Sequence, residues 1–160
     1  MPDLQDHKLW ENYLEYERKM LGIIAGHWNI KICETPKDRK SICDGFIIRN
    51  NEVVAFFESK AREMSEDKLK NKFHTLMVDL DKMKSCIKIS RLLKIPFLCF
   101  FYLIDDDKIF YCKITDREGN KLIEYEEKRK RARINLFGGT REKDKALIHW
   151  ADLIKIKQEK

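Results

Sequence analysis

The sequence predicts an α/β fold, in which helices pack against a β-sheet. Residues 9–25 repeat apolar side chains at helical spacing, which indicates an amphipathic first helix. Residues 44–60 form two apolar stretches around a polar turn, and residues 96–104 are almost continuously apolar, as in a strand buried on both faces. The predicted order is therefore helix, strand, hairpin, helix and strand pair, followed by further C-terminal elements.

Length and composition limit the classes of protein to consider. A chain of 160 residues predicts one domain covering residues 1–160, and 43% hydrophobic with 38% charged residues is typical of a soluble globular protein. The net charge of +6 favours anionic partners. However, 27 acidic residues accompany the 33 basic ones, so charge alone does not identify a nucleic acid as the partner.

The cysteines and the N-terminus predict a cytoplasmic protein. The cysteines are odd in number, lie mostly in apolar runs and form no Cys-x-x-Cys pair, which favours reduced thiols over disulfides or zinc. The first 13 residues are polar and lack the pattern of a secretory signal. The longest apolar run is too short to span a bilayer, so we expect no membrane association.

The first helix contains one acidic residue in an unusual position. Glu17 falls inside the apolar stripe of residues 9–25, whereas the other acidic residues of this segment lie on other faces. Two interpretations stay open: a helix-edge glutamate paired with a lysine, or a residue of a functional site. Gly26 predicts the end of the helix, and residues 27–34 alternate like a first strand.

The hairpin of residues 44–60 carries three charges among Phe, Ile and Val residues. Asp44 precedes it, and Glu58 and Lys60 lie near its end on one face, because side chains alternate along a strand. A two-residue loop at 50–51 would place Asp44 opposite Phe57, leaving Glu58 on the other face. We therefore predict an odd-length loop or a β-bulge that brings Asp44 and Glu58 to the same face.

The middle of the chain predicts a long helix and a strand pair. Ser65 is a good N-cap for a helix running to about Lys94, with an apolar seam. Residues 96–104 and 109–115 then predict two strands, and we interpret Asp105–Asp107 between them as a polar turn. The seam consists of Leu69, Phe73, Leu76, Leu80, Met83 and Ile87.

The segment of residues 124–145 is the most basic part of the chain. Its basic side chains flank the Gly138-Gly139 pair, an arrangement that suits contacts with phosphates but equally suits a solvated surface ribbon. Residues 146–157 predict a short amphipathic element. The candidate DNA-binding residues of this segment are Arg129, Lys130, Arg131, Arg133 and Arg141.

The charges of the hairpin suit phosphodiester hydrolysis. That reaction needs an activated water and stabilisation of negative charge at phosphorus, both of which Mg²⁺ or Mn²⁺ can supply. Such ions bind carboxylate and carbonyl oxygens. We therefore predict Asp44, Glu58 and the backbone carbonyl of Ser59 as metal ligands, and Lys60 as the residue that orients the attacking water. The Glu-x-Lys tripeptide occurs four times, so its strand context carries the prediction.

Together these residues resemble the PD-(D/E)XK nuclease superfamily, which has the restriction-endonuclease-like fold. The resemblance rests on the order helix with Glu17, strand, Asp44, hairpin, Glu58-Ser59-Lys60, helix and strand pair. The segments AFFESKAREMSEDKLKNKF and INLFGG also look like small nucleases of bacteriophages and prophages. The chain departs from the motif in having Cys43 where the proline would stand.

The resemblance implies a mixed β-sheet of about four strands in the order αβββαβ, flanked by helices, and Mg²⁺-dependent DNA cleavage. It implies that Asp44, Glu58 and Glu17 bind metal, that Lys60 is catalytic and that Lys82 is a further basic residue at the DNA. DNA is the expected partner, and a homodimer is a further expectation. Two alternatives stay open: a non-catalytic DNA-binding module that keeps the fold, and an RNA-processing nuclease.

Overall fold

A computed structural model of the chain describes residues 4–133 and 140–158. No helix formed by these residues is long and apolar enough to cross a membrane. The elements are, in chain order, α1 (Leu4–Trp28), β1 (Lys31–Glu34), β2 (Gly45–Arg49), β3 (Glu52–Arg62), α2 (Glu66–Lys68), a π-helical turn (Leu69–Phe73), β4 (Thr75–Asp79), α3 (Leu80–Leu93), β5 (Phe97–Leu103), β6 (Lys108–Lys113), β7 (Glu126–Arg133), β8 (Thr140–His149), a 3-10 turn (Trp150–Asp152) and β9 (Ile154–Ile156).

The strands form two sheets. The larger one is mixed and has the order β1-β2-β3-β5-β6-β9, in which β3 and β5 are parallel and the other neighbours are antiparallel. The smaller one has the order β4-β8-β7 and is antiparallel. The predicted α/β class with a mixed sheet is therefore observed. The sheet has six strands rather than about four, because β6 and β9 extend it beyond β5.

The central strands β3 and β5 are covered on both faces. Every residue of β5 is buried, as its apolar sequence predicts. One face of the sheet packs against α1 through Met20, Ile24, Phe57 and Phe100. The other face packs against α3 and the smaller sheet. A charged side chain on β3 therefore lies beside a low-dielectric core, which raises the cost of its charge.

The first helix is longer than predicted. It passes Gly26 and ends at Trp28, so the predicted stop at Gly26 and the predicted strand start at residue 27 are wrong. Asn29 follows with φ of 53°, a left-handed conformation that asparagine tolerates and that ends a helix. Trp28 remains a core residue, with its ring centroid 5.6 Å from that of Phe100. Burial of its ring against the sheet favours the two additional helical residues.

The predicted long helix of residues 65–94 is wrong. Ser65 does cap a helix, since its side chain accepts a hydrogen bond from Lys68 N, but the helix ends in the π-helical turn. His74 has φ of 65°, and β4 follows before α3 begins at Leu80. β4 also interrupts the expected αβββαβ order. Leu76 and Val78 are buried because β4 pairs with β8. Their alternation fits a strand, and this pairing forms although the apolar residues of the segment also recur at helical spacing.

The C-terminal third contains more strand than predicted. The basic segment forms the antiparallel pair β7 and β8, and the Gly138-Gly139 turn lies outside the described residues. Residues 146–157 are not one amphipathic element: they contain the end of β8, a 3-10 turn and β9, because β9 pairs with β6 at the sheet edge. Asp105–Asp107 do form the turn between β5 and β6, as predicted.

The hairpin of β2 and β3 contains the predicted β-bulge. Arg49 pairs with Glu52 around a two-residue loop, but the register shifts between Ile47 and Ile48, where Val54 is the extra residue. Gly45 rather than Asp44 consequently lies opposite Phe57. The one-residue shift moves Asp44 to the face of the hairpin that also carries Glu58.

Candidate active site

Glu58 is a fully buried carboxylate on β3. Its side chain is 0% exposed, and its oxygens have no aligned hydrogen-bond donor among the described residues. Two ammonium groups lie close to Oε1: Lys82 Nζ at 2.9 Å and Lys60 Nζ at 3.3 Å. These contacts offset the charge at Oε1, whereas Oε2 has no hydrogen-bond partner among the described residues. Glu58 thus has the capacity to bind a further positive group.

Asp44 is held beside Glu58 by the backbone of β3. Its Oδ2 accepts a hydrogen bond from Ser59 N at 2.8 Å, and its own N–H donates to Phe57 O at 2.9 Å. The other oxygen, Oδ1, faces Lys37 Nζ at 3.4 Å and Lys82 Nζ at 3.7 Å. The same ammonium group of Lys82 therefore contacts both carboxylates, and this places Asp44 and Glu58 at one site.

Burial and charge shift the pKa values of the two carboxyls in opposite directions. Burial raises the pKa of Glu58 to about 6, although Lys60 and Lys82 oppose the increase. Burial by itself also raises the pKa of Asp44, but Lys82, Lys60 and Lys37 outweigh it and hold the pKa below its usual value. The site therefore contains one carboxylate that is ionised throughout the neutral range and one whose charge is costly.

The two lysines keep their protons. Burial by itself lowers the pKa of Lys60, but Glu58 and Asp44 outweigh it, so the pKa is raised. The pKa of Lys82 is also raised, because the same two carboxylates outweigh its burial. Both side chains are cations at neutral pH. They can offset negative charge or donate hydrogen bonds there, and they do not act as bases.

Glu17 lies at the same site, as one interpretation of the sequence predicts. It lines the cleft with Asp44, Ser59 and Lys60. Burial raises the pKa of Glu17 to about 7, Lys60 opposes the increase, and the charges of Asp44 and Glu58 contribute to it. The α1 helix thus brings a third carboxyl close to the hairpin, where its ionisation depends on the charges already present.

Gly45 allows the backbone at Asp44 to come close to its neighbours. A Cβ atom at Gly45 would lie 2.6 Å from Cys33 O and 2.7 Å from the ring of Phe57. Neither contact is tolerable for a real side chain, because one partner is backbone and the other is a packed core ring. The absence of a side chain at position 45 therefore helps to fix the position of Asp44.

Asp44 and Glu17 line a cleft of about 1500 Å³. Glu58 does not line the cleft itself, but it contacts Lys60 and Lys82, which do. The cleft volume exceeds the ~300–1,000 Å³ of typical small-molecule sites. Its walls come from α1, from the loop before β2, from the start of α3 and from the β7–β8 pair. The basic residues that line it are Lys37, Arg39, Lys40, Lys60, Arg62, Lys82, Arg129 and Lys143. Six of the described acidic residues line it as well: Glu17, Asp44, Glu63, Asp79, Asp81 and Asp144. The cations outnumber them, and a cleft of this size with an excess of positive charge suits a polyanion.

The structure describes the side chains of two of the six predicted DNA-binding residues. Lys82 contacts the two carboxylates, so it lies at the centre of the site rather than at its rim. Arg129 lines the cleft and its Nε lies 3.0 Å from Asp144 Oδ1. The side chains of the others lie outside the described part of the chain: Lys130, Arg131, Arg133 and Arg141.

Three residues of the cleft were missed by the sequence reasoning. Lys37 comes from the polar turn before β2, where spacing gives no sign that it returns to Asp44. Arg62 donates to Met77 O at 2.8 Å and joins β3 to β4. Asp79 binds Lys145 and Lys143, and these contacts outweigh burial and lower its pKa to about 2. Of the three, only Arg62 could have been found from the sequence, because side-chain alternation along β3 places it on the same face as Glu58 and Lys60.

Comparison with known proteins supplies the family. A family model described as "Phage putative PDDEXK endonuclease" matches residues 11–149. The chain belongs to this family. The match confirms the resemblance to PD-(D/E)XK phage nucleases seen in the sequence. No curated protein and no solved structure gave a significant match.

PDDEXK nucleases generally use divalent metals. The donor atoms at the site of this family member can be compared with those that such an ion requires. The carboxylate oxygens of Glu58 and Asp44, among them Glu58 Oε2 without a hydrogen-bond partner in the described residues, are the donor type that Mg²⁺ and Mn²⁺ prefer. Among residues 4–133 and 140–158, no three His, Cys, Asp or Glu side chains are grouped to hold a metal. Since Mg²⁺ keeps several waters, the pair of Asp44 and Glu58 fits it.

Proposed function

We propose that the chain is a divalent-metal-dependent endonuclease that hydrolyses phosphodiester bonds of DNA. The observation that carries this proposal is the pairing of Asp44 with Glu58, a fully buried carboxylate without an aligned hydrogen-bond donor among the described residues. Lys60 and Lys82 offset part of the cost of burying this charge, but the pKa of Glu58 stays raised, and its Oε2 has no hydrogen-bond partner among the described residues. Together with the family match, the pair is best explained as a metal-binding site.

Asp44 and Glu58 would hold Mg²⁺ or Mn²⁺, and the Ser59 carbonyl and Glu17 are further oxygen ligands in this proposal. When bound, the ion supplies the means to activate a water, to offset charge on the phosphate and to assist the leaving oxygen. The bulge and Gly45 determine where the oxygens of Asp44 lie relative to those of Glu58. A preorganised pair of this kind avoids the cost of rearrangement during the reaction.

Lys60 has the role of a positively charged orienting residue. Its Nζ lies 3.3 Å from Glu58 Oε1, and its raised pKa keeps it protonated. A protonated amine does not take a proton from water, so Lys60 positions the attacking water and stabilises the charge that develops on the phosphoryl oxygens. Lys82, whose Nζ lies 2.9 Å from the same oxygen, supplies positive charge where a phosphate approaches the two carboxylates.

DNA is the proposed substrate because the cleft is large and cationic. Phosphate contacts need charge and close approach rather than base-specific geometry, and the cleft offers lysines and arginines from the loop before β2 and from β3, α3, β7 and β8. A phage-encoded nuclease of this type would meet DNA in the cytoplasm of its host. A homodimer would be needed only for paired cuts on both strands, so single-strand nicking by a monomer is an equally testable form of the activity.

The proposal is tested with a cleavage panel. Purified protein is incubated with single-stranded, duplex, flap and junction DNA and with RNA of matched sequence, in Mg²⁺, Mn²⁺ or EDTA. We expect cleavage of at least one DNA substrate in Mg²⁺ or Mn²⁺ and none in EDTA. Binding without cleavage under every condition would instead support a non-catalytic DNA-binding module. Cleavage of RNA alone would support an RNA-processing nuclease.

A further inference from the structure

The cleft has an aromatic part as well as a basic part. Leu9, Trp10, Tyr13 and Leu14 of α1 line it, next to the basic residues described above. Contacts with the phosphates of a duplex require cations but no aromatic rings. The rings of Trp10 and Tyr13 at the same surface therefore indicate a second kind of contact with the substrate.

These α1 residues form a stripe that ends at the carboxylates. Trp10, Tyr13 and Glu17 are separated by three and four residues, so they lie on one face of the helix. Glu17 marks the end of the stripe at the candidate metal site, because it lines the same cleft as Asp44 and Lys60. Trp10 is seven residues away, which is about 10 Å along the helix axis.

Core packing accounts for Tyr13 but not for Trp10. Tyr13 packs against the core cluster between α1 and the larger sheet, and it is partly buried. Trp10 is also partly buried, yet it belongs to neither of the two core clusters formed by the described residues. An indole that lines the cleft without joining either core cluster lies where a ligand in the cleft would meet it.

Single-stranded nucleic acid is bound by this combination of groups. Its bases have free π-faces that stack on aromatic side chains, while a cationic groove follows the backbone. In a duplex the same faces are covered by neighbouring bases, so aromatic side chains cannot stack on them and add little to the affinity for duplex DNA. The roughly two helical turns from Trp10 to Glu17 separate the proposed stacking position from the carboxylates along the path of such a strand.

We propose that the cleft takes DNA whose bases are unpaired near the cut, such as a single-stranded segment or flap, with Trp10 stacking on a base close to the reacting phosphate. Tyr13 adds a second ring between that base and the carboxylates. This inference rests on the proposed nuclease function, since it names the class of DNA that the same site would accept.

Binding in EDTA separates recognition from cleavage. Fluorescence anisotropy measures the affinity of wild type, Trp10→Leu and Trp10→Phe for one labelled oligonucleotide, either single-stranded or annealed to its complement. We expect Trp10→Leu to weaken single-strand binding about 5- to 100-fold, the effect of losing one stacked base, and duplex binding less than about twofold. Trp10→Phe keeps a ring and should retain most of the single-strand affinity.

Tyr16→Ala is the matched control on the same helix. Tyr16 is 36% exposed, stacks on Tyr102 outside the cleft lining and is not expected to contact DNA. Thermal unfolding followed by circular dichroism establishes that each variant is folded. If Trp10→Leu does not fold, the Trp10→Phe protein gives an independent readout: single-stranded DNA should change the tryptophan emission of wild type and leave that of Trp10→Phe nearly unchanged.

The outcomes distinguish this inference from the nuclease proposal. Equal loss of single-strand and duplex affinity in Trp10→Leu, or no loss of either, overturns the role of unpaired bases even if wild type cleaves DNA in Mg²⁺. Emission of Trp10→Phe that changes as strongly as that of wild type overturns it as well. Wild type that neither binds nor cleaves any DNA overturns both proposals.

Discussion

Asp44 and Glu58 share one face of the sheet because the β2–β3 hairpin contains a one-residue bulge at Val54. Without the bulge, the two-residue loop would place Asp44 opposite Phe57 and separate the carboxylates. With it, both carboxylates contact the ammonium group of Lys82. The register of one hairpin therefore decides whether these residues form a site.

Deletion of residues at the bulge tests this dependence. Removing Val54 leaves a regular two-residue hairpin in which Gly45 still pairs with Phe57, so we expect most of the cleavage activity and Mn²⁺ binding to remain. Removing both Val53 and Val54 shifts the register by one and should cost at least about 100-fold in activity, as a misplaced catalytic group does. Equal activity in the two folded deletion variants would show that register does not matter.

The raised pKa of Glu17 predicts a pH-dependent effect on stability. Burial raises this pKa from 4.5 to about 7, so the folded protein keeps a proton that the unfolded chain loses between these values. The free energy of unfolding of wild type should therefore fall relative to Glu17→Gln as pH rises from 5 to 8. We expect Glu17→Gln to be more stable by about 1–3 kcal/mol at pH 8, with a clearly smaller difference at pH 5, which lies just above the pKa of the unfolded chain.

Urea unfolding in EDTA at both pH values measures this difference. Glu15→Gln is the control, because Glu15 is exposed on the same helix and should give the same small effect at both pH values. A divalent cation bound at the site would favour ionised Glu17, so added Mn²⁺ should reduce the advantage of Glu17→Gln. A constant difference between pH 5 and pH 8 would mean that Glu17 is not buried beside the other carboxylates.

Gly45→Ala should destabilise the protein and impair the site. The new Cβ would lie 2.6 Å from Cys33 O, so the backbone must move, at a cost of about 1–3 kcal/mol. Gly22→Ala is the matched control: Gly22 lies within α1 with no atom within 4 Å of an added Cβ, and alanine there should stabilise by roughly 0.5–1 kcal/mol. Urea midpoints and Mg²⁺-dependent cleavage measure both effects. A Gly45→Ala protein as active and stable as wild type would contradict the close packing around Asp44.

The basic cleft predicts a salt dependence of DNA binding. Replacing Arg129 and Lys143 with Gln removes two cations that line the cleft, so the slope of log K against log salt should become shallower by about 1–2. Lys108→Gln is the control, since Lys108 is exposed at the start of β6, outside the cleft. The same titration applies to Arg131→Ala and Arg133→Ala, which we also expect to weaken DNA binding. An unchanged slope would assign the β7–β8 cations to a solvated surface.

The core of the candidate site could be predicted from local sequence. Asp44, Glu58 and Lys60 are charges within an apolar hairpin, and alternation plus one bulge is enough to bring them together. Glu17 could be recognised from the sequence only because its charge interrupts the apolar stripe of the first helix. Lys37 and Asp79 could not be predicted, because their positions depend on how a loop folds back to β2 and on how β4 pairs with β8, some 70 residues later.

The error at residues 65–94 has a specific physical origin. Leu76, Leu80 and Met83 fit a helical period, while Leu76 and Val78 fit the alternation of a strand, so the pattern supports both. The π-helical turn ends at His74 in a left-handed conformation that glycine or asparagine would have signalled and histidine does not. The segment forms β4 because it pairs with β8, and the local sequence contains no information about this distant partner.

The central claim is that Glu58 binds the divalent cation needed for cleavage. Glu58→Gln preserves shape and removes the charge, and Glu52→Gln makes the same change at the exposed tip of the hairpin. Both are assayed for Mg²⁺-dependent cleavage of the best substrate and for Mn²⁺ binding by calorimetry. We predict at least about 100-fold slower cleavage and no measurable Mn²⁺ binding in Glu58→Gln, with both intact in Glu52→Gln. Full Mg²⁺-dependent cleavage by a folded Glu58→Gln protein would contradict the claim.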